Sequence, residues 1–368
     1  AATVPGLVTE LAKKGTRAAV VLSAGMEADH GDGRSHRQAM LDAARPSSLR
    51  ILGPNCVGLI SPHSKLNASF AHTNPLPGNI AFVSQSGALL TAMLDWARSN
   101  TIGFSHCVSL GDGADIDFAD MLNFLAIDST THSILLYVEE IRSARKFMSA
   151  ARAASRIKPV LVVKAGRVPE GARAAASHTG AMAGVDAVYD TAFRRAGMLR
   201  VMSTEALFDM AETLAYSRPL NEENLLILTN GGGPGVMATD ALILGGGHLA
   251  TLMPSARELL DQVLPANWSR ANPIDIIGDA PAERYRQALS ILFEKQPNSP
   301  VLFIHAPTAI VPSLDIARTI SPLAQRNDRH LVGCWMGEAA VAQARHIFEQ
   351  ARIPQFTTPE RAVNAFLQ

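Results

Sequence analysis

The chain has 368 residues, of which 47% are hydrophobic and 18% are charged, so it has enough apolar material for two or three cores and lacks the composition of a disordered protein. The formal net charge is zero and no basic stripe is present, which argues against nucleic acid as a partner. No apolar run is long enough to span a membrane. The three scattered cysteines form neither a disulfide framework nor a metal-ligand pattern, which fits a reducing, cytoplasmic environment.

Short apolar runs alternate with helical patterns along the whole sequence. Most of the runs are continuously hydrophobic, as expected for parallel strands that are covered on both faces. This β-α-β rhythm predicts an α/β protein built from successive doubly wound parallel-sheet domains. The predicted strands are Ala18–Leu22, Arg50–Leu52, Ile80–Val83, His106–Leu110, Ile134–Val138, Val160–Val163, Leu225–Thr229, Val301–Ile304 and Leu331–Trp335. The predicted helices are Leu89–Ser99, Phe118–Ala126, Ala144–Ser155, Val185–Ala196, Thr204–Ser217, Gly235–Leu244, Ala282–Phe293 and Leu314–Gln325.

Two proline-containing segments, His72–Gly78 and Ser217–Asn224, predict domain boundaries. They divide the chain into three parts, 1–73, 74–218 and 219–368. The first part has only two clear strands, which is too few for a sheet with helices on both faces. We therefore expect the chain to begin inside a domain whose first half it does not contain.

The second and third parts begin in the same way, with a strand, a small polar turn that contains glycine, and a helix. The free amides and the dipole of such a helix N-terminus can hold an anion, and glycine lets a ligand approach the backbone. A turn in which glycine serves packing alone is the alternative. Neither turn fits the dinucleotide fingerprint or the P-loop of nucleotide-binding proteins. The candidate phosphate-binding residues are Ser86, Gly87 and Ala88 in one turn and Gly232, Gly233 and Gly235 in the other.

Residues 169–181 include no leucine, isoleucine or valine, and a single histidine, His178, lies among them. This composition predicts a long functional loop that presents His178 as a nucleophile to a charged partner. An alanine-rich helix or loop with a surface histidine is the alternative. Glu139 and Glu140 follow the predicted strand Ile134–Val138, where a carboxylate could accept one imidazole N–H and make the other ring nitrogen more nucleophilic. For either glutamate a helix-capping role is the alternative.

The turn Gly53–Gly58 follows the strand Arg50–Leu52 and places Asn55 where its side chain could bind a ligand, although a purely structural turn is equally compatible with the sequence. No basic residue lies beside Cys56, so we interpret it as a structural thiol rather than a nucleophile. Asn272–Asp279 is a similar polar strand end. Four further histidines lack the paired spacing of metal ligands and are interpreted as structural or exposed: His30, His36, His248 and His305.

The motifs Gly53–Ile60, Val83–Gly87, Ser109–Asp112, Ser177–Gly180 and Asn230–Gly235 stand in this order in the chain. Together they resemble the motifs of the NDP-forming acyl-CoA synthetases, the family of the ADP-forming acetate–CoA ligases and relatives of succinyl-CoA synthetase. The resemblance covers essentially the whole chain, and the combination of motifs is specific.

The resemblance implies an acid–CoA ligase that interconverts acyl-CoA, phosphate and ADP with acid, CoA and ATP through a phosphohistidine. It assigns the phosphorylated histidine to His178 and the supporting glutamate to Glu139. Two helix N-termini would stabilise the phosphohistidine, and a turn would lie near the thiol end of CoA. The positions that it implies for these are Ser86, Gly87, Ala88, Gly232, Gly233 and Gly235 for phosphate, and Asn55 and Cys56 for CoA.

The resemblance also implies that 1–73 is the C-terminal part of a Rossmann-like CoA-binding domain. The parts 74–218 and 219–368 would be flavodoxin-like ligase domains, the first of which carries the phosphohistidine loop. The first half of the CoA-binding domain and the ATP-grasp domain, which would bind ATP or ADP with Mg²⁺, have no counterpart in this sequence.

The implied partners are an ATP-grasp domain or subunit, CoA thioesters and small carboxylic acids, in an oligomer. A different class of function stays open, because some relatives of the family fuse this module to a protein acetyltransferase, where it serves as a regulatory acyl-CoA sensor. An acyl-CoA lyase or a succinyl-CoA synthetase proper is a further alternative.

Overall fold

The computed structural model describes residues 1–179, 185–217, 220, 222–325 and 329–368, with side chains for all of these except 175–179. The chain divides into two compact units, Ala1–Ala211 and Glu212–Gln368, each with its own mostly parallel main sheet. Within the described ranges, no helix combines the length and the apolar composition needed to cross a membrane.

Among the described residues, the first unit contains nine strands and seven helices, and it also contains the first part of an eighth helix, which ends in the second unit. The strands are β1 (Ala18–Val20), β2 (Arg50–Leu52), β3 (Gly58–Ser61), β4 (Leu66–Ser69), β5 (Leu76–Ser84), β6 (Gly103–Ser109), β7 (Ser133–Val138), β8 (Val160–Lys164) and β9 (Leu199–Val201). The helices are α1 (Val4–Lys13), α2 (His36–Ala44), α3 (Gly87–Ser99), α4 (Phe118–Ile127), α5 (Ala144–Ser155), α6 (Pro169–Thr179), α7 (Asp186–Ala196) and α8 (Thr204–Tyr216).

The main sheet of the first unit has seven strands in the order β4-β3-β6-β5-β7-β8-β9. Its parallel strands lie in the order β6-β5-β7-β8-β9. With β5 counted as the first strand, this is the 2-1-3-4-5 order of flavodoxin-like folds. Successive residues of β5 pack on opposite faces, since Ala81 and Val83 join a core with α4, α5 and α7, whereas α3 covers the other face of the sheet. The hairpin β3–β4 extends the sheet by antiparallel pairing of β3 with β6.

The first residues of the chain form a smaller element. Strands β1 and β2 pair in parallel, and α1 and α2 pack on them around a core that includes Met26, Met40 and Ile51. The two predicted strands of residues 1–73 are thus present, but the expectation of only two strands in this part is wrong, because β3 and β4 also lie in it. The predicted boundary between residues 73 and 74 stays a prediction, although the hairpin that precedes it lies in the same sheet as the strands that follow it.

The second unit repeats the flavodoxin-like order, because its sheet runs β11-β10-β13-β14-β15, with β12 paired to β10. Helices α10 to α13 share one core with the sheet, and α9 packs with α14. The strands are β10 (Asn224–Thr229), β11 (His248–Leu249), β12 (Ile274–Asp275), β13 (Val301–His305), β14 (Leu331–Trp335) and β15 (Gln355–Phe356). The helices are α9 (Gly232–Leu244), α10 (Pro254–Val263), α11 (Ala282–Lys295), α12 (Ser313–Ala324), α13 (Ala342–Gln350) and α14 (Pro359–Leu367).

The predicted fold class is therefore confirmed: the chain is an α/β protein with successive doubly wound, mostly parallel sheets. Every predicted strand and helix is present, with ends shifted by a few residues. One prediction is wrong, because Pro169–Thr179 forms the helix α6 rather than a loop. Alanine is the strongest helix former, Pro169 suits the first helical position, and Glu170 in the first turn complements the helix dipole.

The buried strand β10 provides a stability test. Ile227 is fully buried, whereas Ile243 on α9 is 52% exposed. We expect Ile227→Ala to lower the free energy of unfolding of the second unit by about 2–4 kcal/mol, because it removes buried methyl groups and leaves a cavity. Ile243→Ala should change that energy by less than about 0.5 kcal/mol. Guanidinium titration followed by tryptophan fluorescence measures both, and equal losses in the two variants would contradict the burial described here.

Candidate functional site

The main sheet of the first unit has a topological switch point beside β5. After β5 the chain passes to β6 on one side of it and later to β7 on the other side. Doubly wound sheets bind ligands at such a switch point, beyond the carboxyl ends of the two central strands. Gln85 and Ser86 follow β5 here, and Glu139 and Glu140 follow β7.

Gln85 holds these two strand ends together. Its side-chain oxygen Oε1 accepts hydrogen bonds from the backbone amides of Glu139 at 2.6 Å and Glu140 at 2.9 Å. The backbone amide of Gln85 donates to the backbone carbonyl of Tyr137 at 3.2 Å. The structure therefore brings the predicted glutamates to the same edge as the predicted phosphate-binding turn. Nothing in the local sequence pattern indicates that Gln85 connects them.

The turn after β5 is shaped by hydroxyl groups. Ser84 Oγ accepts a hydrogen bond from the Ser86 amide at 3.1 Å and donates to the Ser86 carbonyl at 2.7 Å. Ser86 is the N-cap of α3, and its Oγ accepts from the Leu89 amide at 3.2 Å. Helix geometry leaves the amides of Gly87 and Ala88, at the start of α3, for water or a ligand, and the helix dipole adds partial positive charge there.

Gly87 is required by close packing. A Cβ atom at this position would lie 2.6 Å from Cγ2 of Val57, which belongs to the turn after β2. The amide of Val57 donates to Ser109 Oγ at 3.0 Å, at the end of β6. The turn after β2, the turn after β5 and the end of β6 thus meet at the N-terminus of α3, and three of the sequence motifs are brought together.

Asn55 and Cys56 face in different directions. Asn55 is exposed at φ 56°, and its Nδ2 donates to Asp112 Oδ1 at 3.1 Å. Cys56 is 3% exposed and its Sγ donates to the carbonyl of Val21 at 3.4 Å. Burial raises the pKa of Cys56 to about 11, so the thiolate is not populated near neutral pH. This agrees with the interpretation of Cys56 as a structural thiol.

Side-chain hydrogen bonds also shape the turn after the first strand of the second unit, β10. Thr229 Oγ1 accepts from the amide of Gly231 at 3.1 Å and donates to its carbonyl at 3.0 Å, as Ser84 does with Ser86. The side chain of Asn230 bonds both the amide and the carbonyl of Ala306 after β13, each at 2.9 Å. Asn230 therefore joins the two central strands of its sheet as Gln85 does in the first unit.

The glycines at the start of α9 differ in the space around their backbone. A Cβ atom on Gly235 would lie 3.1 Å from Thr229 Cγ2 and 3.3 Å from Pro273 Cβ, so this glycine serves packing. A Cβ atom on Gly233 would have nothing within 4 Å. The N-cap of α9 is Gly231, which provides no side-chain cap. A Cβ atom on Gly232 would lie 3.4 Å from Asp275 Oδ2, so the backbone is most open to a ligand at Gly233. At the N-terminus of α3, by contrast, the Ser86 hydroxyl already accepts a hydrogen bond from one helix amide.

His178 lies in the helix α6, and its side chain is outside the described residues. The same holds for Ser177 and Thr179. The strand β8 leads into α6 and ends with Lys164, which is 2% exposed. No sequence motif points to this lysine, although one signal is present: a cation directly after the apolar run Val160–Val163 at a strand end.

His305 is structural, as interpreted, and Asn272 in the polar strand end makes a structural contact that the sequence did not indicate. His305 is buried between Tyr285 Oη at 2.9 Å and Ser313 Oγ at 3.0 Å, and burial lowers its pKa to about 4. Asn272 Oδ1 accepts from the amide of Ile227 at 2.9 Å, so it joins backbone segments rather than facing a ligand. Within the described ranges no group of three or more histidine, cysteine or acidic side chains could hold a metal ion.

Replacement of Gln85 tests the link between the strand ends. In Gln85→Met the amides of Glu139 and Glu140 lose their acceptor, so their hydrogen exchange should accelerate and the free energy of unfolding should fall by about 1–3 kcal/mol. Gln262→Met, on the exposed face of α10, is the matched control and should leave both quantities unchanged. Unchanged exchange at residues 139 and 140 in Gln85→Met would contradict the described contact.

The contact between Gly87 and Val57 can be measured by a double-mutant cycle. Gly87→Ala should destabilise the protein by about 1–3 kcal/mol, because Val57 is too short to move its methyl group away. Combining it with Val57→Ala removes the clash, so the two effects should be coupled by about 1 kcal/mol or more. Strictly additive effects in thermal or chemical denaturation would show that the two residues do not touch.

Comparisons with known proteins agree with this architecture. A family model described as the succinyl-CoA ligase like flavodoxin domain matches residues 77–214, and a model of the Ligase-CoA domain matches residues 225–367. The ADP-forming acetate–CoA ligase I of Archaeoglobus fulgidus is 41% identical over 362 residues, which are 98% of this chain and 52% of that protein. The chain thus spans about half the length of that relative.

A second relative, the alpha subunit of the ADP-forming acetate–CoA ligase I of Pyrococcus furiosus, is 36% identical over 98% of this chain and 79% of its own length. A solved structure from Ca. Korarchaeum cryptofilum, a dinucleotide forming acetyl-coenzyme A synthetase 1 in complex with phosphate and ADP, superposes with a TM-score of 0.93 at 34% identity and covers 99% of this chain and 79% of that chain. This chain belongs to the NDP-forming acyl-CoA synthetase family, which includes the ADP-forming acetate–CoA ligases.

Proposed function

We propose that this chain forms the acyl- and phosphoryl-transfer part of an acid–CoA ligase that interconverts acyl-CoA, phosphate and ADP with acid, CoA and ATP through a phosphohistidine at His178. The observation that carries the proposal is the switch point of the first unit. There, Gln85 connects the residues at the N-terminus of α3 to Glu139 and Glu140. The chain belongs to a family in which this arrangement is expected to serve phosphoryl transfer. The match of Ser177–Gly180 to the family motif supports the choice of His178.

The first step assigns a role to the turn after β5. Phosphate binds at the amides of Gly87 and Ala88 beside the cap residue Ser86, where the helix dipole favours an anion. An oxygen of phosphate attacks the thioester carbonyl, the C–S bond breaks, and CoA leaves as the thiolate, which takes up a proton. The product is an acyl phosphate, and the dipole of α3 stabilises the negative charge of the reacting phosphate.

The second step transfers the phosphoryl group to His178. An imidazole nitrogen forms the new P–N bond while the acid leaves as a carboxylate, so the step depends on positioning and on charge neutralisation. Glu139 accepts the other ring N–H and stabilises the positive charge that develops on the ring. The phosphohistidine then passes its phosphoryl group to ADP, which gives ATP and restores the histidine.

The open helix N-terminus of the second unit is proposed as a second phosphate-binding position. Gly232 and Gly233 expose backbone amides without a side-chain cap, and Gly235 lets the helix pack closely against Pro273. In the turn after β2, we propose that CoA contacts the exposed side chain of Asn55. Because the thiol of Cys56 is buried, its part in CoA binding would come from the backbone of the turn.

Nucleotide binding is assigned to a partner domain or subunit rather than to the residues of this chain. The Pyrococcus furiosus relative is named an alpha subunit, and the Ca. Korarchaeum cryptofilum structure contains ADP and phosphate. We propose that ATP or ADP, with Mg²⁺, binds to an ATP-grasp domain or subunit and that the assembly is an oligomer in the cytoplasm. The division into 1–73, 74–218 and 219–368 is part of the same proposal.

The test uses the full protein with its ATP-grasp partner, acetyl-CoA and radioactive phosphate. Wild type should acquire acid-labile, alkali-stable radioactivity and should release it on addition of ADP. His178→Asn should acquire none, because the nucleophile is removed. Glu139→Gln should slow the labelling by about 10²-fold or more, as expected for loss of a residue that assists proton and charge movement.

Glu140→Gln is the matched control and should have the smaller effect of the two glutamate variants. A larger loss in Glu140→Gln would move the supporting role to that residue. Labelling that persists in His178→Asn would overturn the phosphohistidine. Binding of acyl-CoA without any labelling of wild type would instead favour the regulatory acyl-CoA sensor.

A further inference from the structure

Side-chain contacts join the two ends of the chain segment in which His178 stands. The segment runs from Arg167, two residues before α6, to Asp186, the first residue of α7. The carboxylate of Asp186 faces two arginines, because its Oδ1 accepts from Arg200 at 2.5 Å and its Oδ2 lies 3.9 Å from Nε of Arg167. Arg167 also donates from Nη1 to the carbonyl of Met202, the residue after β9, at 3.2 Å. Both ends of the segment are therefore held at β9 and the residue that follows it.

Arg200 is the fixed point of this arrangement. It lies on the edge strand β9, where it pairs with Val162, and its side chain is 6% exposed. A buried guanidinium needs carboxylate partners, because water no longer solvates its charge. Besides its bond to Asp186, Arg200 donates from Nη1 to Asp190 Oδ1 at 3.3 Å. Asp186 and Asp190 are four residues apart on α7, so Arg200 fixes the first turn of this helix to the strand.

The other end of the segment is fixed at the start of α6. The amide of Ala172 donates to the carbonyl of Val168 at 2.8 Å. A Cβ atom on Gly171 would lie 3.5 Å from the Cα atom of Gly166, so the first turn of the helix packs against the residues that precede it. The contacts of Arg167 therefore hold the base of α6.

A helix transmits a displacement of its base to its far end. With a rise of about 1.5 Å per residue, the backbone of His178 lies roughly 14 Å along α6 from Pro169. A tilt of about 5° at the first turn would move that end by roughly 1 Å. Phosphoryl transfer is sensitive to a change of this size, since a misplacement of about 1 Å can slow a positioned reaction by about 10²-fold.

We propose that Arg167 and Asp186 form a clasp that positions His178 by fastening the base of α6 to α7 and β9. The inference rests on the proposed function, because it takes His178 as the residue that is phosphorylated. It adds two positioning residues whose effect on the reaction passes through the backbone of α6. Their contribution is to the rate of the transfer step and not to the binding of acyl-CoA.

The test measures single-turnover labelling of His178 in the full protein with its ATP-grasp partner, from acetyl-CoA and radioactive phosphate. Arg167→Met removes both contacts of the guanidinium, and the fold should tolerate the change because this side chain is 39% exposed. We expect the maximal labelling rate to fall about tenfold, with an unchanged KM for acetyl-CoA and an unchanged melting temperature. Arg167→Lys should keep most of the rate, since an ammonium group can still donate to both acceptors.

The matched control is Arg194→Met. Arg194 pairs with Asp190 Oδ2 at 2.6 Å and is 77% exposed, and it lies outside the segment from Arg167 to Asp186. This variant also removes an arginine that is paired with a carboxylate of α7, but it should label His178 at the wild-type rate.

A double-mutant cycle tests whether Arg167 and Asp186 act through one contact. Asp186→Asn keeps an oxygen that can accept from Arg200 and replaces the oxygen near Arg167 by an amide group, which cannot accept. The double variant should then label His178 no more slowly than the slower of the two single variants. Losses of rate that multiply would show that the two residues act separately, and they would overturn the clasp.

Hydrogen exchange provides a readout that does not depend on activity. In Arg167→Met the amide of Ala172 should exchange about threefold faster or more, because the base of α6 loses contacts equivalent to roughly one hydrogen bond. The same amide should exchange at the wild-type rate in Arg194→Met.

The outcomes separate the two proposals. If wild type labels His178 and Arg167→Met labels it equally fast, the clasp does not position the histidine and the inference is wrong. Equal losses of rate in Arg167→Met and Arg194→Met would overturn it as well. If wild type forms no phosphate on His178 while Ala172 exchanges faster in Arg167→Met, the proposed function fails and the fastening of α6 by Arg167 stands.

Discussion

The two hydrogen bonds that Gln85 Oε1 accepts from consecutive backbone amides are the contact on which the first unit's site depends. Parallel strands on either side of a switch point diverge toward their carboxyl ends and leave a crevice. A side chain that spans this crevice fixes the distance between the helix that starts after β5 and the carboxylates that follow β7. Without it, Ser86 and Glu139 would belong to two loops that move separately, and a transfer that depends on positioning would lose its geometry.

The same solution in the second unit shows that this constraint belongs to the fold as well as to one site. Thr229 reproduces the hydrogen bonds of Ser84, and Asn230 joins the same pair of strands as Gln85 does, although it accepts from one amide and donates to one carbonyl, both of Ala306. The N-caps differ, since Ser86 satisfies an amide of its helix and Gly231 has no side chain to do so. The two helix N-termini therefore offer anions different surfaces. At α3 one backbone amide is already hydrogen-bonded and Val57 packs against Gly87, whereas the N-terminus of α9 is open at Gly233.

Much of this architecture could be read from the sequence, because buried parallel strands are continuously apolar and the helices between them have clear periodicity. The sequence does not indicate the hairpin β3–β4, since Leu66–Ser69 has little apolar character and is defined by pairing with β3. The absence of large apolar residues predicts a loop at α6, but the helix propensity of alanine prevails there. The glutamates and glycine turns could be predicted from their places at strand ends, whereas the Gln85 bridge and the burial of Lys164 depend on contacts across strands that local patterns do not encode.

The measurement that tests the central claim most directly is the position of the phosphoryl group in the full protein after reaction with acetyl-CoA and phosphate. Mass spectrometry of peptides prepared at alkaline pH, where phosphohistidine survives, locates it. The account predicts phosphate on His178, at an occupancy that falls about tenfold or more in Glu139→Gln. Phosphate on a different residue, or none in a protein that still forms ATP, would contradict it.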